Sequence, residues 1–268
     1  MTISLEQSPT QLKLLNDIDN YISKTVNKNI ILLRQKEVIQ WLIGDLSFLP
    51  GIEEKKSKSK NNEARKKLED AWGRKTLKLK RPDLKLEGQW TNKFGEHLLE
   101  ELYEIQNIKY KKPINKNNHE PDLEVDECVL EAKAETYFTE GTAGEKILGV
   151  PFKYRNVPKL YKKPLKIYCI GGAEKSCREQ YGILEGPKMD AEAKDMLDYW
   201  RKKKIEYVGI SDALKNLIKE DENKTPEESK SETPKKGKNI TLEKEEKNTS
   251  EDNDTDELTK IMKNIEIK

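Results

Sequence analysis

Cysteine and histidine are scarce in this sequence. Three cysteines, Cys128, Cys169 and Cys177, and two histidines, His97 and His119, leave no paired ligand spacing, which argues against a zinc site. Cys128 and Cys169 fall in apolar runs and read as small core residues. Long apolar stretches are missing too. Each is interrupted by charge well before it could cross a bilayer, and the polar N-terminus MTISLEQSPTQ has nothing of a signal peptide. The expectation is a soluble protein of a reducing, cytoplasmic compartment, with no membrane partner. Apolar residues make up only 34% of the chain, and no internal repeat compensates for that low figure.

What the chain has in abundance is charge, 37% of its residues, and the near-neutral net of +2 conceals an uneven distribution. Residues 219–268 carry 11 lysines against 15 acids, a net of −4, so residues 1–218 carry +6. A basic body is compatible with nucleic acid. The acidic segment has too few apolar side chains to order itself and reads as a disordered tail. Leu258, Ile261, Met262 and Ile265 could form a short terminal helix within it.

Four regions follow. Residues 1–52 read as an N-terminal helical region, with Leu12, Leu15, Ile18, Ile22 and Val26 at helical spacing and a second apolar stripe up to Pro50-Gly51. Packing is its simplest role, with dimerisation as the alternative. Residues 53–85, inside a basic linker over 53–89, hold 13 Lys or Arg against 6 acids, and around Glu63–Trp72 they could be helical. Such runs are usually solvated; on nucleic acid they supply phosphate contacts, for which Lys75, Lys78, Lys80 and Arg81 are the candidates. Residues 90–218 read as the core. It begins with an amphipathic helix through Phe94, Leu98, Leu99 and Leu102, followed by strands near 108–111, 122–126 and 128–134. A helix comes next from about Ala143 to Val150, then a strand at 165–172, a helix at 191–204 and a strand at 205–210. Ser211 is the expected N-cap of a last short helix. Residues 219–268 are the acidic tail.

The stretch HEPDLEVDECVLEAKAETY, residues 119–137, is the most informative. Strand side chains alternate, so Glu131 and Lys133 share a face while Leu130, Ala132 and Ala134 take the other. Asp126-Glu127 suits the turn between two strands. Folded as a hairpin, the stretch brings together Asp122, Glu131 and Lys133: two carboxylates for a hard cation and one amine. Acid-x-Lys triplets recur throughout so charged a chain. Only this one lies on an apolar strand behind a Pro-Asp at hairpin distance.

Pro121-Asp122 followed by Glu131-Ala132-Lys133 resembles the signature of the PD-(D/E)xK nuclease superfamily and, within it, the type II restriction endonucleases. The stretches GTAGEKILGVPFKY and KPLKIYCIGG are similar to that group as well, and the likeness spans about residues 90–212. The resemblance implies an α/β, restriction-endonuclease-like core, a central mixed sheet flanked by helices. It also implies hydrolysis of double-stranded DNA by a Mg2+-dependent, sequence-specific endonuclease of the restriction-modification kind, working as a homodimer to cut both strands. Asp122 is then the central metal ligand, Glu131 the second, and the Ala132 carbonyl a further oxygen. Lys133 orients or deprotonates the attacking water. Glu96 is similar to the extra carboxylate that the preceding helix often brings, though a first-turn glutamate favoured by the helix dipole looks the same. Lys146, Lys153 and Arg155 are candidate DNA contacts. A DNA repair or junction-resolving nuclease would use the same residues. A non-catalytic DNA-binding protein would have no use for them. The histidines receive no role, His97 being expected on a helix surface.

Overall fold

The structure, a computed structural model, describes residues 9–49, 58–85, 89–139 and 145–223. The expected terminal helix near the C-terminus lies outside the described residues, as does the tail beyond residue 223. The described residues form one compact unit.

Ten helices and four strands are described. Pro9–Ser23 (α1), Lys36–Leu42 (α2), Lys58–Lys80 (α3) and Thr91–Ile105 (α4) precede Leu123–Glu124 (β1) and Val129–Glu135 (β2). Then come Glu145–Leu148 (α5), Val150–Lys153 (α6), Val157–Tyr161 (α7), Leu165–Gly171 (β3) and Gly172–Glu179 (α8). Ala191–Lys202 (α9), Ile205–Gly209 (β4) and Ile210–Asn223 (α10) complete the unit. The sheet runs β1-β2-β3-β4. Its first pair is antiparallel and the other two are parallel, so it is mixed, as expected.

Side-chain alternation along β2 and β3 builds a core on each sheet face. Leu130, Ala132, Ala134, Tyr168 and Ile170 face a large core with Phe94, Leu98, Leu99 and Leu102 of α4. Val129, Leu165 and Ile167 face a second with Val150, Tyr154, Val157 and Tyr161. The N-terminal helices are no separate subdomain. Leu15, Ile18 and Ile22 of α1 and Val38, Ile39 and Trp41 of α2 are buried in the same core as α4 and α10. Trp41, Trp72, Trp90 and Phe94 cluster there with ring centroids 4.9–6.0 Å apart.

Five differences from the sequence reading have physical causes. The basic linker is largely the 23-residue helix α3, anchored by a few buried groups among its lysines, chiefly Leu77 and Glu69. Residues 108–111 give one bridge, Lys111 to Glu124, because β1 at the sheet edge is only two residues long. The helix expected up to Val150 is split into short turns, with Pro151 and Pro158 each at a helix start, where the missing N–H costs nothing. An unforeseen helix, α8, follows β3 directly. Gly171, at φ 64°, makes that junction, and a Cβ there would sit 2.4 Å from the Trp41 ring. Finally, α10 starts at Ile210 and runs to Asn223, five residues past the expected end of the core. Ser211 is therefore inside the helix, not its cap. Its N–H and hydroxyl both donate to the buried Glu174 carboxylate.

Candidate active site

The antiparallel register pairs Leu123 with Leu130 and Glu124 with Val129, so one step back sets Asp122 opposite Glu131. Leu123 and Leu130 belong to the α4 side of the sheet, which leaves Asp122 and Glu131 together on the other face. The backbone fixes Asp122 at both ends. Its N–H donates to the Leu130 carbonyl at 2.9 Å, and its Oδ2 accepts from the Ala132 N–H at 2.7 Å. Lys133 shares the face of Glu131, donates to Glu131 Oε1, and lies 3.3 Å from the Ala132 carbonyl.

These groups are poorly solvated. Glu131 is 4% exposed, and its Oε2 is buried without a hydrogen-bond partner. Burial, then the neighbouring Glu131 charge, raises the Asp122 carboxyl to about 7, against the Ala132 N–H and the Lys133 charge. Tyr154 stands beside the pair. Burial and the Glu131 and Asp122 charges push its phenol well up, so it stays protonated next to them. A buried acid lacking one partner, facing a second acid that resists ionising, is a site short of positive charge.

Glu96 is set apart. It enters from α4, which approaches β2 closely because Gly95 has no side chain: a Cβ there would lie 3.0 Å from that of Ala134 and 3.3 Å from that of Ala132. Glu96 adds to the negative field on Asp122, yet Lys93 bonds it at 2.8 Å and Lys112 at 3.1 Å. Burial opposes its ionisation, but those two ammonium groups prevail and hold its pKa below the usual range. Lys112 also reaches the Asp122 carbonyl at 3.3 Å, linking the two acids. Among the described residues, no three His, Cys, Asp or Glu side chains come together tightly enough to hold one ion. The converging set is therefore two carboxylates, Asp122 and Glu131, with the Ala132 carbonyl beside them. Such oxygens suit Mg2+, which keeps several waters and needs only one or two protein carboxylates. The orphaned Glu131 oxygen fits a cation there.

A cleft of about 730 Å3 adjoins the site. Lys133 lines it, as do Lys66 and Arg74 of α3 and Lys146 and Lys153 of α5 and α6; among the described residues, Asp70 and Glu135 are the acids in the lining. Of the seven expected DNA contacts, Lys146 and Lys153 lie in this lining. Arg155 lies outside it and donates to the Phe152 carbonyl. Lys78 is exposed on α3, also outside the lining. Arg81 is paired with Asp83 at 2.6 Å and sits 3.2 Å from His97, which is buried rather than on the helix surface.

Lys80 is the clearest departure. Its ammonium bonds the fully buried Glu101 at 2.9 Å and the Asn29 carbonyl at 3.1 Å. Glu101 in turn accepts the N–H groups of Ile31, Leu32 and Leu33, so the pair ties α3 and α4 to the N-terminal loop. Lys80→Ala should accordingly lower stability by about 1–3 kcal/mol, the range for a mostly buried pair whose acid keeps its other donors. DNA affinity of the folded protein should be unchanged. Denaturant melts alongside DNA titration decide this: normal stability with weakened binding would return Lys80 to the phosphate-contact set. The sequence offered no warning, because a buried Lys–Glu pair far apart in the chain looks like two surface charges. Lys112, Lys66 and Arg74 were similarly uninformative as letters; spatial neighbours give them meaning.

No family model matches the chain, and neither a curated protein nor a solved structure matches it. Among the described residues, no helix is long and apolar enough to cross a membrane.

Proposed function

We propose that this chain is a Mg2+-dependent endonuclease that hydrolyses phosphodiester bonds in double-stranded DNA, of the type II restriction kind, acting as a homodimer. One observation carries the reading: Asp122, Glu131 and Lys133 meet on one sheet face, beside a cleft rich in lysine and arginine. A binding protein would gain nothing from two acids set side by side next to the cleft, Glu131 buried among them, since burying an acid is costly and a carboxylate repels phosphate.

Asp122 and Glu131 would hold magnesium, which would supply Lewis acidity toward the phosphate and lower the pKa of water. The chain's own groups do the rest. The Ala132 N–H fixes the Asp122 carboxylate so that its ligand geometry exists before substrate arrives. Lys133, held by Glu131, places a positive donor where the attacking water and the phosphate oxygens must lie, orienting the one and offsetting charge on the other. The Tyr154 hydroxyl remains a neutral donor in this charged setting.

Purified protein incubated with mixed-sequence plasmid, with and without Mg2+, followed by mapping of the ends, tests the proposal. Discrete fragments at a common sequence, only with the metal, are expected. Intact plasmid under all conditions would reject a nuclease, and structure-directed cuts would favour a repair or junction enzyme.

A further inference from the structure

We propose that the cleft beside Lys133 binds one strand of the nucleic acid, seating one or two nucleotides next to the scissile phosphate, with Lys66 and Lys146 as its phosphate contacts. This rests on the nuclease reading and specifies how its substrate is held. The residues come from two layers. Lys66 and Arg74 sit on α3, whose Leu77 belongs to the core on the α4 side of the sheet. Lys146 and Lys153 sit on α5 and α6, whose Val150 belongs to the core on the other side. The cleft therefore opens where the layers separate, at the C-terminal end of β2, lined there by Ala134, Glu135 and Thr136. Crevices beyond the C-terminal ends of parallel strands are the usual ligand sites of open α/β sheets.

Charge and size narrow the occupant. Five cationic side chains face two acids, and burial raises the pKa of one of those, Glu135. Lys146 is the cation whose charge acts on Glu135, partly offsetting that rise, and Lys153 rests on the Tyr154 ring, 4.6 Å from its centre. Lys66 is held by Asp70 at 2.8 Å, an exchangeable contact for a phosphate oxygen. A volume of about 730 Å3 lies in the range of roughly 300–1,000 Å3 that encloses a drug-sized molecule. One or two nucleotides fit it. A duplex, with a major groove alone about 12 Å wide, does not. The side-chain amides of Gln89 and Asn92, also in the lining, can meet a base edge.

The inference moves the contact face of α3. The positions favoured from sequence, Lys75 and Lys78, are exposed outside the cleft, whereas Lys66 is inside it.

The experiment uses the full chain and a labelled 15-nucleotide poly-dT strand, in EDTA so that binding is read without cleavage, from about 50 to 200 mM KCl. K66A/K146A should weaken binding at least about tenfold at the lower salt. It should also make the slope of log affinity against log salt shallower by about 1.4, the value for two phosphate contacts on a single strand. K75A/K78A should match the parent. An unchanged slope in K66A/K146A, or an equal loss in K75A/K78A, overturns the cleft assignment. Thermal melts confirm that both variants fold; if K66A/K146A does not, K146A alone should still lose about half of the slope change. The nuclease reading stands or falls separately, since an inactive parent with Mg2+ rejects it whatever the slopes show.

Discussion

Asp122→Asn should abolish DNA cleavage, by roughly a thousandfold or more, and at the same time stabilise the metal-free protein at alkaline pH. Both effects come from one carboxylate. Asparagine keeps an oxygen able to accept the Ala132 N–H, so the hairpin geometry is retained. It loses the negative charge that would make Asp122 a ligand, and on the proposed reading catalysis depends on the cation that this charge would hold. Removing a negative group near phosphate should also tighten DNA binding slightly. The stability effect follows from linkage. In the folded state Asp122 titrates near 7, against an ordinary value near 3.8, so between those values the folded protein holds a proton that the unfolded chain releases. Stability is fully present below about pH 4 and declines as pH rises to about 7. Three units correspond to ~4 kcal/mol; a realistic gain for the variant at pH 8 is about 1–3 kcal/mol, because water and local rearrangement relieve part of the strain.

Glu69, raised to about 7 by burial on α3, gives the parent a similar decline. The quantity to measure is thus the difference between parent and variant. Denaturant melts from pH 4 to 8 in EDTA should show the two curves diverging as pH increases, and added Mg2+ should bring the parent back toward the variant. A variant that cuts at the parental rate would sink the metal assignment. Parallel stability curves would show that the Asp122 carboxyl is not held protonated by burial and Glu131.

The reason Asp122, Glu131 and Lys133 could be found in the sequence is that strand alternation is a local rule. Two residues apart means one face, and a turn at Asp126-Glu127 fixes which residue lies opposite which. The flanking apolar positions, Leu123, Leu130, Ala132 and Ala134, signal that the other face is covered, and in the structure it is. The N-terminal apolar stripes were legible as helices only in part, over Pro9–Ser23 and Lys36–Leu42; Val26, counted in the first stripe, lies beyond α1 and is exposed. Their shared core with the sheet was not legible, since periodicity says which face is buried but never against what. Helix α3 was obscured because 12 of its 23 residues are charged; its hold on the fold comes from Glu69, which accepts from the Trp41 indole and the Tyr137 N–H, and from Leu77. An acid in that role is indistinguishable from its charged neighbours until the partners, 28 and 68 positions away, are known. The same holds for Glu101 with Lys80, and for Glu174 with Arg178 and Ser211. Glu96 stayed ambiguous for a related reason. Its place at the start of α4 fits a ligand or a helix-dipole partner, and the competing claim of Lys93 and Lys112 on its oxygens is a matter of geometry alone.

Lys133→Ala separates the chemistry of this site from mere metal binding. The amine is no ligand, so its loss should leave magnesium binding intact or stronger, because one positive charge near the cation is gone. Cleavage should nonetheless fall by about a hundredfold or more, the scale for a charge-stabilising or proton-transferring group at a reacting phosphate. DNA affinity should weaken only modestly, at most one phosphate contact being lost. The structure adds a second consequence. Lys133 is the cation bonded to Glu131, whose other oxygen is buried without a partner. Truncating it strands a nearly buried carboxylate, which should cost about 1–3 kcal/mol; this is less than for a fully buried pair, because the lysine side chain is 28% exposed. A divalent cation can replace the missing charge. Magnesium should therefore raise the melting temperature of Lys133→Ala more than that of the parent, while failing to restore its activity. Thermal melts with and without Mg2+, a magnesium titration, DNA affinity and cleavage rate on the same preparation settle the matter. Full activity, or a loss matched by an equal loss of DNA binding, would reduce Lys133 to a phosphate anchor. An equal magnesium shift in both proteins would show that the cation does not sit beside Glu131.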